Sequence, residues 1–231
     1  MFSFIQLQTD TIANAASNVV IEQVAPNTEI SVLGFILKGG VFLIPIAILL
    51  FYTIYVIIER YLYITRASKT DNRLMQDVGD KLHAGNIELA RSIVERSNTS
   101  AGNILKEGVL VIGRPIAEIE SNMDRAADIE IAEMERHLGH LGLIAGIAPT
   151  LGFVGTISGV IKIFYSISVT ENISIGNISG GLYEKMISSG AGLIVGIIAY
   201  SGYHILNGKI DDFALKIQKQ ILEFVNIIQR A

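Results

Sequence analysis

The chain has no cysteine and no tryptophan, and only 4 prolines in 231 residues. Without cysteine there are no disulfides and no thiolate metal ligands, while the compartment is left open. Charge is scarce too: 17% of residues are charged, against about 25% in soluble domains. The formal net charge of −4 argues against nucleic-acid binding, which depends on a basic face. The remaining absence is positional. Residues 1–37 contain no Lys or Arg, and neither do residues 165–184; 15 of the 18 basic residues lie within Arg60–Arg136 and Lys209–Arg230.

What is present is mostly apolar. Half of the residues are hydrophobic and the mean hydropathy is +0.48. Three apolar stretches, Val41–Ile58, Leu141–Phe164 and Met186–Leu206, separate the basic zones from the base-free ones. About 20 apolar residues of helix cross a hydrocarbon core about 30 Å thick. The first stretch has no charge, the second carries only Lys162, and the third only His204 near one end. Because short basic flanks resist translocation, the base-rich zones are expected inside. The reading is an all-α membrane protein with three transmembrane helices, N-terminus out and C-terminus in, with spans two and three extended by long cytoplasmic helices.

The expected organisation is a periplasmic tail and amphipathic approach over 1–38, a first span over 39–60, and a cytoplasmic helical domain over 61–138. A second span covers 139–165, a periplasmic loop 166–183, a third span 184–207, and a cytoplasmic C-terminal helix 208–231. Residues 1–30 lack the basic start of a cleaved signal peptide, and Asp10 and Glu22 interrupt their apolar content. In the insert, Asp71–Ala84 and Ile87–Ser97 read as short helices broken at Gly85-Asn86, and Pro115 suits the first turn of the next helix. From there Ile116, Ile119, Met123, Ala127, Ile131, Met134, Leu138 and Leu141 recur three or four apart, the helical period. One uninterrupted helix from Ile116 to Phe164 is expected, about 70 Å long, with Glu118, Asp124, Asp128 and Glu135 on its solvated face. The outer loop contains Asn172-Ile173-Ser174 and Asn177-Ile178-Ser179, which read as loop composition rather than modification sites. Ile210–Ile228 is amphipathic and is expected to pack on the stalk.

Spans two and three are crowded with small residues. Gly142/Gly146, Gly155/Gly159 and Gly192/Gly196 are spaced four apart, a pattern that lets membrane helices approach closely. Thr156 sits mid-span, and Ser189, Gly192, Gly196 and Ala199 share one face of span three. A lone membrane hydroxyl commonly bonds back to a carbonyl one turn earlier. Two small, hydroxyl-bearing faces together suggest a narrow polar pathway between helices. Yet no Asp or Glu lies at mid-membrane depth, and a proton relay needs a titratable group there. On this reading the carboxylate comes from another polypeptide. His137 and His140 lack a further ligand to complete a metal site. The glycines lie inside spans rather than at a nucleotide-binding turn, and no nucleophile–base–acid constellation is visible, so no enzyme activity and no cofactor is expected.

Pro149-x-x-Gly152-x-x-Gly155-Thr156-x-x-Gly159 and Glu184-x-x-x-x-Ser189-x-x-Gly192-Leu193-x-Val195-Gly196 resemble the paired signatures of the MotA/TolQ/ExbB proton-channel family. Glu59-Arg60 after span one, the long insert and the three-span topology also fit, and three spans favour the ExbB/TolQ branch. The resemblance implies a bacterial inner-membrane homopentamer around a pore that holds helices of an ExbD- or TolR-like partner. An Asp of that partner carries the proton, and the motor energises a TonB- or TolA-like protein. It also implies that Thr156 and Ser189 line the proton pathway with Glu184 at its outer end, and that Gly152, Gly155, Gly159, Gly192 and Gly196 pack the helices. Ser189 stands where threonine is usual, and Ile198 where a proline is common. A TolQ-like role in envelope maintenance, a sodium-driven relative and a non-conducting scaffold are the alternatives.

Overall fold

Glycines and capping side chains divide the polar part of the chain into short helices, while the apolar stretches form long ones. The computed structural model describes residues 41–69, 72–170 and 175–230. The expected N-terminal tail and Asn172 therefore lie outside the described residues. Among the described residues seven helices follow in order: α1 Leu43–Ala67, α2 Asn72–His83, α3 Ile87–Glu95, α4 Ser100–Leu110, α5 Ile116–Glu135, α6 Leu138–Thr170 and α7 Ile175–Arg230. No strand occurs among the described residues. Among the described residues three helical segments are long and apolar enough to cross a membrane.

Local chemistry explains the short elements. Gly85 takes a φ of +70° and ends the turn after α2, a conformation that costs a glycine little. Asn86 then caps α3, its side chain accepting from the Leu89 N–H at 3.3 Å. Thr99 caps α4 in the same way, accepting from the Gly102 N–H at 3.1 Å. Each cap satisfies a donor left unpaired at a helix start. Gly113, at φ +96°, turns the chain before Pro115, which occupies the N-cap of α5.

Helices α2–α5 gather around the C-terminal half of α7 and the end of α1. Val78, Ile104, Leu105, Met123, Phe213 and Phe224 are at the centre, each at most 1% exposed. The predicted stripe is buried at Ile119, Met123, Ala127 and Met134 of α5 and at Leu138 and Leu141 of α6. The amphipathic 210–228 segment is continuous with the third apolar stretch, so α7 runs unbroken for 56 residues, roughly 84 Å.

The expected uninterrupted helix from Ile116 to Phe164 is divided. Arg136 leaves helical geometry (φ −52°, ψ 133°) and His137 adopts φ +69°. Arg60 provides the physical counterpart of this break. It is 6% exposed, its Nη1 donates to the Glu133 carbonyl at 3.0 Å, and its charge is paired with Glu59. Glu133 lies in the last turn of α5, where carbonyls lose their helical partners and a cation is favoured. Helix also occupies more of the expected outer loop than composition suggested, continuing to Thr170 and resuming at Ile175.

Candidate helix-contact and proton-pathway site

Helices α6 and α7 run antiparallel and touch through glycine. A Cβ at Gly152 would lie 2.9 Å from Ser189 Cα and 3.0 Å from the Ser188 carbonyl oxygen. One turn along, a Cβ at Gly192 would overlap the Ala148 carbonyl oxygen. At Gly196 it would come 2.6 Å from Pro149 Cγ and 3.2 Å from the Ala145 oxygen. Proline has no N–H, so Pro149 frees the carbonyl four residues earlier, that of Ala145. The bare backbone of Gly196 gives room to both that carbonyl and the proline ring. Gly155 meets Ser188 Oγ and Phe42, and Gly159 is covered by the stem of Lys185. Close approach of this kind is how small residues pack helices where no hydrophobic drive exists between them.

Gly152, Gly155, Gly159, Gly192 and Gly196 lie along one seam. Gly142 and Gly146 do not: the nearest atom to a Cβ at Gly142 is a Tyr203 ring carbon 4.0 Å away, and Gly146 has nothing within 4 Å.

Thr156 stands on the edge of the seam, half-buried. Its hydroxyl is directed at two carbonyls, Gly152 at 3.2 Å in its own helix and Lys185 at 3.3 Å in α7. Ser189 is half-buried, its backbone against Gly152. Glu184 lies on α7, but its side chain is outside the described residues. The span-three hydroxyl nearest the seam centre is Ser188, which the motif reading missed. It is fully buried, and its Oγ donates to the Lys185 carbonyl at 3.0 Å. A signal was available: Ser188 precedes Gly192, Val195 and Ala199 by 4, 7 and 11 residues, one continuous helical face.

Within one copy there is no gap between the two faces, because the backbones touch. One turn beyond Gly152, Ile46, Ile144, Ala148, Val195 and Ala199 form a buried apolar cluster, with Leu49, Leu50 and Leu151 against it. The side chains of that layer offer a proton only apolar surface. The polar atoms that remain accessible are at the edge, where Thr156 and Ser189 stay half-exposed.

At the other end of the spans, aromatic and basic groups form a belt. The Tyr52 hydroxyl is 2.7 Å from His140 Nδ1, His137 stacks on His140, and His204 packs edge-on against Tyr200. Lys209 Nζ sits 4.0 Å above the Tyr61 ring, and Arg60 lies over Tyr63. Among the described residues no three His, Cys, Asp or Glu side chains are grouped to hold a metal.

The sequence is also similar to known proteins. The sequence pattern of the MotA/TolQ/ExbB proton channel family matches residues 96–219. The chain is 30% identical over 190 residues to a putative biopolymer transport protein ExbB homolog of Methanothermobacter thermautotrophicus, covering 81% of this chain and 67% of that one. It is 26% identical over 108 residues to the Tol-Pal system protein TolQ of Haemophilus influenzae, 47% of each chain. Over 80 residues it is 29% identical to the biopolymer transport protein ExbB of Salmonella typhimurium, 35% of this chain and 33% of that one. These are transport and channel proteins rather than a class of enzymes. With three apolar helices and these relatives, the chain is a multi-pass membrane protein belonging to the ExbB-like branch of the MotA/TolQ/ExbB proton channel family.

Proposed function

We propose that the chain is the channel subunit of a motor driven by the proton motive force, working with an ExbD-like single-span partner to energise TonB-dependent outer-membrane transport. The observation that carries this reading is Thr156, a half-buried residue whose hydroxyl bridges α6 and α7 at the edge of the seam, in spans that contain no mid-depth carboxylate. A hydroxyl can steer a proton but does not store one at physiological pH, so a titratable group must come from outside the chain. The apolar cluster inside the protomer favours a path along the exposed edge of α6 and α7, completed by another polypeptide. On this proposal several copies, five by family resemblance, surround partner helices in a bacterial inner membrane, with the N-terminus out and the C-terminus in. Thr156 and Ser189 line the path, and Glu184 stands at its outer mouth.

The test is proton flux into vesicles that hold the chain and an ExbD-like partner, followed with a pH-sensitive dye. Thr156→Val keeps the shape and removes the hydroxyl. A hydrogen bond to a charged group contributes about 1.5–3 kcal/mol, so flux should fall roughly tenfold to a hundredfold with assembly intact. Unchanged flux would remove Thr156 from the mechanism. No flux in the unaltered complex would favour a non-conducting scaffold, and flux that follows sodium would indicate a sodium-driven relative. Similarity to a TolQ protein favours a second reading, envelope maintenance through a TolR-like partner. Restoration of flux by a TolR-like but not an ExbD-like protein would select it.

A further inference from the structure

Two hydroxyls from different helices converge on one acceptor. Ser188 and Thr156 both donate to the carbonyl oxygen of Lys185, at 3.0 and 3.3 Å. A carbonyl offers two lone pairs, and within a helix the N–H four residues on already claims one. The two hydroxyls therefore compete for what remains. Their freedom differs. Ser188 is 0% exposed and is wedged where a Cβ on Gly155 would lie 2.9 Å from its Oγ. Thr156 is half-exposed and has an alternative acceptor in Gly152.

A hydroxyl carries one proton and two lone pairs. While the Thr156 proton points at the Lys185 carbonyl, Thr156 offers a visiting carboxyl group only lone pairs, which suit a protonated acid. To donate to an ionised carboxylate it must turn that proton away. Ser188 makes this easier in two ways: it weakens the hold of the carbonyl on Thr156, and it keeps the buried carbonyl bonded after Thr156 leaves.

We infer that Ser188 is a positioning residue, setting how readily Thr156 turns its hydroxyl proton from the Lys185 carbonyl to the carboxylate of the partner polypeptide. This rests on the proton-channel reading above. Near the two hydroxyls the described charged side chains are Lys185, whose stem covers Gly159, and Lys162, exposed on α6; Glu184 adjoins Lys185 in sequence, and Phe42, the residue before α1, packs on Gly155. Ser188→Ala alters none of these charges. With Ser188 gone, the Thr156 proton stays on the carbonyl, the protonated acid is favoured and its pKa rises.

The experiment is the pH profile of proton flux in vesicles holding the chain and its single-span partner, for the unaltered chain, Ser188→Ala and Ser188→Cys. Ser188→Cys keeps the bulk with a weak donor. The midpoint should move upward by about half a unit to one unit in Ser188→Ala, with Ser188→Cys shifted in the same direction. A lower flux with an unmoved midpoint in both variants would reveal a packing role only and overturn the inference. Thr156→Val separates the two levels. If it loses flux while the Ser188 variants keep the original midpoint, the channel reading stands and this inference fails. If it conducts normally, Thr156 leaves the mechanism and this inference fails with it, while the channel reading stands or falls on the flux of the unaltered complex.

Discussion

Arg60 and His137 together make the break between α5 and α6, and each carries a testable cost. Arg60 is buried, paired with Glu59, and donates to the end of α5. Arg60→Leu removes that donor and strands the Glu59 carboxylate, and should destabilise the protein by about 1.5–3 kcal/mol. A lower unfolding midpoint in detergent would show it, as would faster amide exchange in the last turn of α5; no change would mean the cap is idle. At His137 the left-handed backbone costs a non-glycine residue about 1–2 kcal/mol. His137→Val adds a β-branch at φ +69° and should lower the midpoint clearly below that of His137→Gly. Equal midpoints would contradict strain at this residue. Neither role was legible beforehand. Arg60 stood out only as part of the Glu59-Arg60 segment after span one, because its carbonyl partner lies 73 residues away. His137 is neither glycine nor asparagine, the residues that announce such a backbone.

At the scale of the helices, periodicity located the core but concealed the joint. The α5 stripe passes from Met134 to Leu138 and Leu141, all buried, so the three-or-four spacing survives a two-residue interruption and cannot report it. The glycine seam was legible because spacing of four marks close approach. Which pairs are used was not, since Gly142/Gly146 show the same spacing without a neighbour. Gly192→Ala should push a methyl into the Ala148 carbonyl and cost about 1–3 kcal/mol. Gly190, with nothing within 4 Å, is the control: Gly190→Ala should be neutral or stabilising by up to about 1 kcal/mol. Equal destabilisation of the two variants in detergent unfolding would refute the seam. Ser188 was overlooked for a related reason, because a motif names positions while burial depends on which face a neighbour covers.

For the molecule as a whole, the absence of native cysteine makes orientation directly measurable. Ser168→Cys, beyond the second apolar stretch, should react with a membrane-impermeant maleimide in spheroplasts. Lys106→Cys in α4 should react only after permeabilisation, and the reverse pattern would invert the proposed topology. The spans themselves were evident from apolar length, whereas their mutual fit depended on backbone contacts that composition does not encode. The two long helices that leave the apolar layer are also unlike each other. α7 passes through without interruption, whereas the chain entering α6 is jointed at Arg136–His137 and held there by a side chain from α1. A bend between the apolar layer and the polar helices therefore concentrates at one elbow beside one rigid strut. The first helix is tied directly to that elbow, through the Arg60 guanidinium.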